Sequence, residues 1–224
     1  MNLVMPKKFR FVETTPHSVR FAGDRGEKLE VYILEEDLIR VKHLPDGVAR
    51  LDRTWTVVGP EGQMPREGRM REDLSPFSRP QLAAATEREF MLLETEELCL
   101  KIDMSSFSIE WADGWGRGRV FARDLRNYAY TYDQRGRSVF HYLVQRPDEH
   151  YYGFGEKAGP LDKRGMRMRM QNLDAIGYSA KSSDPLYKHW PFYITFVPEL
   201  QIAYGLFYDN LATCIFDMGQ EVNG

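Results

Sequence analysis

Short runs of strand-forming residues, separated by turn residues, recur along almost the whole chain. The clearest example is LEVYILEEDLIRVKHLPDG at residues 29–47, where Val31 and Ile33 alternate with their neighbours before a polar turn at 36–37 and a second run over 38–43. This pattern is typical of a β-hairpin. No window carries apolar residues at the helical spacing of 3.6. The sequence therefore predicts an all-β fold with little helix.

Further strand-like runs support a two-layer arrangement. They are FMLLETEELCLKIDMSSFSIEWADG (90–114), SVFHYLVQ (138–145) and PFYITFVPELQIAYGLFYDN (191–210), while residues 59–81 resemble a long surface loop rich in proline and charge. An antiparallel sheet with one apolar face must bury that face against another layer. We therefore predict an antiparallel β-sandwich, with a barrel as the main competitor. For 224 residues we expect one domain, or two at most.

Composition and charge argue against several function classes. The net charge is −3 and the basic residues are scattered among acidic ones, so no basic stripe is available for nucleic acid. Cys99 and Cys214 each lie in an apolar run, which favours buried free thiols over a disulfide framework or a metal site. We predict no metal and no cofactor.

Membrane insertion and export are not expected from the sequence. The start, MNLVMPKKF, lacks the apolar run of a signal peptide, and no stretch approaches the roughly 18 apolar residues that span a bilayer. These features predict a soluble chain located in the cytoplasm.

One stretch combines glycines, basic residues and an isolated acid: YYGFGEKAGPLDKRGMRMRMQNLDAIGY, residues 151–178. As a phosphate loop it fails, because the third glycine comes one residue late for Gly-x-Gly-x-x-Gly and no helical pattern follows. Gly153 and Gly155 instead favour a corner where backbone segments pass closely, which glycine permits without steric cost.

Asp174 is the residue in this stretch that a corner does not explain. It lies between Leu173 and Ala175, away from any turn consensus. A carboxylate in such a place either caps local backbone amides or recognises a ligand. The residues alone leave both readings open.

Four spaced motifs carry a family resemblance. They are Gly-Phe-Gly-Glu at 153–156, Gly-Pro-Leu at 159–161, Asn-x-Asp-Ala at 172–175, and Asp-Pro-Leu-Tyr followed by Pro-Phe within 184–192. Together they resemble the end of the N-terminal domain in glycoside hydrolase family 31, which contains α-glucosidases and α-xylosidases. The resemblance implies a galactose mutarotase-like β-sandwich over residues 1–224, with 151–192 carrying a loop toward the active site.

The resemblance also implies a function and a division of labour. In that family a (β/α)8 barrel follows the sandwich and supplies both catalytic aspartates, and this barrel is absent from the chain. We therefore expect the N-terminal domain of a retaining α-glycosidase whose last residues lead into that barrel. The favoured activity is that of an α-glucosidase, hydrolysing or transglycosylating terminal α-linked glucose of oligosaccharides.

The same resemblance gives expectations for site residues and partners. The match to the family's Asn-x-Asp segment makes Asp174 the substrate-binding residue, and no catalytic residue is expected in this chain, which alone should be inactive. The expected partners are an α-linked oligosaccharide and the protein's own C-terminal catalytic barrel. A homo-oligomer is compatible with the sequence.

Two other functions compete with this hypothesis. A stand-alone carbohydrate-binding sandwich would bind sugar without catalysis. A mutarotase or epimerase acting alone would need a histidine and an acid that converge, and the five histidines form no motif. Trp190 is either a sugar platform or, as we favour, an interdomain or core contact.

Overall fold

The structure is a computed structural model that describes residues 2–114, 118–135 and 138–221. All the regular elements within these ranges are β-strands, which confirms the all-β prediction. The chain divides into two compact units, Met1–Val144 and Gln145–Gly224. Each unit is built from antiparallel strand pairs.

The first unit contains thirteen of the strands. They are β1 Leu3–Val4, β2 Arg10–Thr14, β3 Ser18–Ala22, β4 Lys28–Ile33, β5 Ile39–Leu44, β6 Arg53–Thr54, β7 Arg69–Met70, β8 Ala83–Glu87, β9 Phe90–Glu94, β10 Leu98–Asp103, β11 Ser108–Asp113, β12 Val120–Arg123 and β13 Tyr132–Asp133. A four-stranded sheet has the order β2-β3-β4-β5, and a five-stranded sheet has the order β12-β11-β10-β9-β8. The remaining strands form the two-stranded pairs β1-β13 and β6-β7.

Alternating apolar side chains from these two larger sheets meet in one core. Its buried residues are Phe9, Val19, Phe21, Leu29, Val31, Met91, Leu93, Leu100, Ile102, Phe107, Ile109, Ala129 and Tyr130. A fully buried side chain of this kind stabilises the fold by roughly 1.5–3 kcal/mol. The inward faces therefore hold the layers of a β-sandwich together, as predicted.

The predicted hairpin at residues 29–47 is confirmed. β4 and β5 pair antiparallel from Lys28 opposite Leu44 to Ile33 opposite Ile39. The turn between them closes with the amide of Leu34 donating to the carbonyl of Leu38 at 2.9 Å. The loop at 59–81 is confirmed as turns and coil around the two-residue strand β7.

The strand predicted over residues 138–145 is wrong. This segment forms only two isolated bridges, Val139 with Tyr132 and Leu143 with Asp124. The amide of Phe140 donates to the carbonyl of Thr131 at 2.8 Å, and Thr131 lies outside any regular strand. Periodicity of side chains shows that a segment is extended, but a ladder also needs a regular neighbour.

The second unit is a smaller pair of sheets. Its strands are β14 His150–Gly153, β15 Arg167–Met170, β16 Phe192–Val197, β17 Ile202–Phe207 and β18 Cys214–Asp217. One sheet has the order β14-β16-β17 and the other pairs β15 with β18. The two strands predicted around the Val-Pro-Glu turn are thereby confirmed as β16 and β17.

The core of the second unit is rich in aromatic residues and methionine. Its buried residues are Tyr151, Phe154, Met168, Met170, Tyr193 and Met218. The ring of Phe154 is stacked on that of Tyr193 at 4.9 Å between centroids and tilted against Phe216 at 5.2 Å. These contacts join the three-stranded sheet to β18 and fix the base from which the loop after β15 extends.

Candidate functional site

The segment between β15 and β16, residues 171–191, contains the predicted substrate-binding residue, and we call it the Asp174 loop. Asp174 is exposed on it. Within the described part of the chain, its carboxylate makes no hydrogen bond or ion pair. No amide among the described residues therefore donates to this carboxylate, as the capping alternative would require. Both oxygens are open to a ligand.

The far end of the loop is held by a second aspartate, Asp184. Its Oδ1 accepts from the Nζ of Lys157 at 2.7 Å, and its Oδ2 accepts from the backbone amide of Arg169 at 2.6 Å. The Lys157 Nζ also donates to the carbonyl of Arg169. The Lys157 side chain is only 1 % exposed, so this bond joins the loop to β15 through a desolvated charge.

The two ends of the loop are also bonded to each other. The amide of His189 donates to the Oδ1 of Asn172 at 2.8 Å, and the Nε2 of His189 donates to the carbonyl of Asn210 at 2.9 Å. Asn172 is the first residue of the Asn-x-Asp motif, and its bond to His189 joins the start of the loop to its end. Asp174 follows Asn172 by two residues and lies between these bonded ends.

Between these ends, aromatic side chains order the tip of the loop. The Tyr178 and Tyr187 rings meet edge to face at 5.8 Å, and the Tyr187 hydroxyl donates to the carbonyl of Ala175 at 3.4 Å. Tyr187 is 40 % exposed, so it braces the loop from the surface. Asp174 is thus placed by contacts on both sides that leave its own carboxylate unused.

The Gly-Phe-Gly-Glu motif forms a corner beneath the loop. Gly153, Phe154 and Gly155 have φ values of 116°, 65° and 67°. A Cβ on Gly155 would lie 2.8 Å from the Trp190 side chain, so only glycine allows this approach. Glu156 pairs with Lys188 at 2.8 Å. The corner reading of these glycines is confirmed.

Trp190 has an exposed side chain, at 55 %, and therefore is not the core contact that the sequence allowed. Its inner edge contacts the Gly155 corner while its remaining surface faces outward. The exposed position is compatible with the other two readings, an interdomain contact and a sugar platform.

Two histidine–aspartate pairs were not foreseen from the sequence. His141 Nε2 lies 3.0 Å from Asp124 Oδ1, and His150 Nδ1 lies 2.6 Å from Asp162 Oδ2. Asp124 is fully buried and also accepts from the Ile109 amide at 2.9 Å. The partners are 17 and 12 positions apart in the sequence, and spacing alone does not reveal that they meet.

Backbone bonds indicate that both pairs have a structural role. Asp162 also accepts from the amides of Tyr151 at 3.1 Å and Arg164 at 3.0 Å. Burial acts to raise the pKa of Asp162, but its bonds to His150 and to these amides lower it. Each carboxylate thus accepts hydrogen bonds from backbone amides, which leaves little capacity for proton transfer to a ligand.

The described residues hold no group of three or more His, Cys, Asp or Glu side chains placed to bind a metal ion. Cys99 and Cys214 are free and half-buried, and burial raises the pKa of the Cys214 thiol to about 11. Within the same described ranges, no helix is long and apolar enough to cross a membrane.

Comparison with known proteins decides the family. The model of the glycosyl hydrolase 31 N-terminal galactose mutarotase-like domain matches residues 28–217, which is most of the chain. The chain belongs to this family. This match confirms both the resemblance and the galactose mutarotase-like sandwich predicted from the motifs.

Two curated relatives of the family 31 domain are α-glucosidases. Alpha-glucosidase 2 from Bacillus thermoamyloliquefaciens is 30 % identical over 204 residues, which are 91 % of this chain and 23 % of that protein. An alpha-glucosidase from Saccharolobus solfataricus is 35 % identical over 99 residues, covering 44 % of this chain and 14 % of the relative. The chain therefore spans less than a quarter of the length of these relatives.

A solved structure supports the fold of the family 31 domain. The glycoside hydrolase family 31 dextranase of Flavobacterium johnsoniae, complexed with isomaltotriose, superposes with a TM-score of 0.79 at 21 % identity. The match covers 98 % of this chain and 24 % of that one. At this identity the likeness establishes the shared fold.

Proposed function

We propose that the chain is the N-terminal domain of a retaining α-glucosidase and that it contributes one wall of the substrate pocket. Family membership gives the glycoside hydrolase context. The specific activity is supported by the α-glucosidase relative that is 30 % identical over 91 % of the chain. In this proposal the whole enzyme acts on terminal α-linked glucose of oligosaccharides, by hydrolysis or transglycosylation, and this domain helps to bind the substrate.

The observation that carries the proposal is the unused carboxylate of Asp174 on a loop bonded at both ends. Asp184 ties the loop to Lys157 and β15, and the His189 amide donates to Asn172, which joins the two ends of the loop. A carboxylate can accept bonds from two or more sugar hydroxyls, and charge-assisted bonds are stronger than neutral ones. Holding it on a preordered loop lowers the entropy lost when substrate binds.

Asp174 by itself does not hydrolyse a glycoside. A retaining mechanism needs two carboxyl groups about 5–5.5 Å apart, one as nucleophile and one as acid. We propose that both belong to a (β/α)8 barrel in the same polypeptide, placed over the Asp174 loop. Residues 1–224 would then supply orientation and binding, and the barrel would supply the chemistry. We further propose a cytoplasmic location for this polypeptide.

An activity assay on aryl α-glucosides tests this division of labour. We expect the native polypeptide that carries residues 1–224 to turn over the substrate and residues 1–224 alone to show none. Turnover by the purified chain that persists through several columns would place the catalytic pair within these residues. Inactivity of the native polypeptide on every α-glucoside would contradict the proposed activity itself.

A further inference from the structure

The charged segment Asp162-Lys163-Arg164, between β14 and β15, bonds to backbone through all three of its side chains. Asp162 accepts from the amide of Tyr151 at 3.1 Å, and Arg164 donates to the carbonyl of Glu149 at 2.8 Å. Lys163 is the buried member of the three and is only 5 % exposed. Lysine is almost never buried to this extent unless its ammonium is paired. The partners of Lys163 therefore show what its burial is for.

The partners of the Lys163 ammonium are carbonyl oxygens of the segment that follows the Gly-Phe-Gly-Glu corner. Its Nζ donates to the carbonyls of Pro160 at 2.6 Å, Ala158 at 3.3 Å and Lys157 at 3.5 Å. An ammonium carries three N–H donors, one for each of these oxygens. Among the described residues Lys163 forms no ion pair. The buried charge is thus used to gather the backbone of residues 157–160.

The same segment carries Lys157, whose side chain bonds to the Asp174 loop through Asp184. Lys163 therefore holds the backbone of Lys157, while the Lys157 side chain holds Asp184. The two ammonium groups also act on each other, because burial and then the charge of Lys157 lower the pKa of Lys163. A displacement of residues 157–160 would reach Asp184 through a single side chain.

The position of Asp174 depends on how its loop is anchored, since its own carboxylate makes no bond among the described residues. Three contacts fix the loop, and they are Lys157 with Asp184, His189 with Asn172, and Tyr187 with Ala175. Only the first of them joins two charged groups, and charge-assisted bonds are stronger than neutral ones. Loss of its support should therefore displace Asp174 more than loss of either neutral contact.

We propose that Lys163 is a positioning residue for substrate binding by Asp174. Its bonds to carbonyls fix residues 157–160, this segment places Lys157 against Asp184, and Asp184 places the loop. A misplacement of about 1 Å in such a group can cost on the order of 100-fold in rate. Lys163 itself touches no substrate in this proposal and acts only through Asp174. This inference rests on the proposed function.

A double-mutant cycle in the native polypeptide tests the inference. Lys163→Met removes the ammonium at nearly the same side-chain length, and Lys163→Gln, which keeps two N–H donors, gives the same comparison if the first variant does not fold. We expect Lys163→Met to lower kcat/KM on an aryl α-glucoside about ten-fold, but less than about two-fold when Asp174→Ala is already present. Amide hydrogen exchange of residues 171–191 should become faster in the single variant.

Lys42 offers a matched control in the first unit. Its side chain is only 13 % exposed, and its Nζ pairs with Asp52 at 3.2 Å. Lys42→Met should lower the melting midpoint, because it leaves a half-buried carboxylate without its partner. It should leave both kcat/KM and the hydrogen exchange of residues 171–191 unchanged.

Equal losses of kcat/KM from Lys163→Met with and without Asp174 would overturn the inference, since Lys163 would then act by another route. So would a lowered melting midpoint with full kcat/KM, which is the result expected of a lysine that only stabilises the fold. Full activity of Asp174→Ala alone would overturn the proposed function together with this inference. The single Asp174 variant and the cycle therefore distinguish the two failures.

Discussion

In the four-stranded sheet of the first unit and the three-stranded sheet of the second, inward and outward residues alternate in the same way. The outward faces of the two sheets differ in composition. Outside the first, Arg20 bonds to Glu30 and Glu13, each at 2.6 Å. Outside the second, Phe192 and Phe196 face outward with no charge between them on their strand. Alternation therefore shows which residues face inward, whereas the composition of the outward residues differs between the two sheets.

The energetic consequences of the two faces also differ. Exposed ion pairs such as Arg20–Glu13 contribute roughly 0–1 kcal/mol each and are screened by salt. Their value lies in keeping the face solvated. Exposed aromatic residues cost little in the isolated domain but promote association until they are covered.

The largest expected effect separates the inward from the outward aromatic residues of the second unit. Phe154→Ala empties a fully buried position beside Tyr193 and Phe216, so it should lower the free energy of unfolding by about 3–5 kcal/mol. Phe196→Ala, at a 37 % exposed position, should cost less than about 1 kcal/mol in residues 1–224. Denaturant unfolding measures both, and comparable losses would contradict the inward and outward assignment.

Acid should weaken the first unit through the inward face of its four-stranded sheet. His43 on β5 packs edge to face on Tyr130 at 5.7 Å, and its Nε2 is buried without a partner among the described residues. Burial, with repulsion from His141, lowers the pKa of His43 from 6.5 to about 4. Between pH 6.5 and about 4, protonation of His43 is therefore less favourable in the folded state than in the unfolded state.

The sign of the pH dependence follows from that lowered pKa. The contribution of His43 to the free energy of unfolding is fully present above about pH 6.5. It is lost as the pH falls toward 4, by up to roughly 3 kcal/mol. Unfolding titrations between pH 7 and pH 4 measure the loss, and His43→Phe should flatten the curve in that window. An unchanged curve in the variant would show that other groups cause the dependence.

A smaller effect is expected at the anchor of the Asp174 loop. Asp184→Ala leaves the buried Lys157 ammonium without its carboxylate, which should cost about 2–3 kcal/mol. Asp174→Ala removes no bond seen among the described residues and should cost less than about 0.5 kcal/mol. Thermal unfolding of the two variants compares them directly, and a larger loss for Asp174 would mean that it caps the loop.

Local patterning was enough to predict much of the fold. The hairpin of β4 and β5 and the pair of β16 and β17 were visible because alternation and turn residues act over short distances. The segment 138–145 shows the limit, since its alternation is real but its neighbour offers no regular ladder.

The candidate site was predictable only in part, because its bonds are distant in sequence. The motif pointed to Asp174, but nothing local indicated that Asp184 would bond to Lys157, 27 positions away, or that Asn172 would bond to His189. The pairing of His141 with Asp124 was missed for the same reason. A loop's anchors depend on which strands meet, and sequence spacing does not give that.

We propose that Asp174 binds substrate and contributes little to folding. The most direct measurement is kcat/KM and the melting midpoint of Asp174→Ala in the native polypeptide, with Asp174→Asn to separate charge from hydrogen bonding. Losing a charge-assisted bond should lower kcat/KM roughly ten- to a hundred-fold, about 1.5–3 kcal/mol, while the midpoint stays unchanged. A destabilised variant with full kcat/KM would contradict the claim.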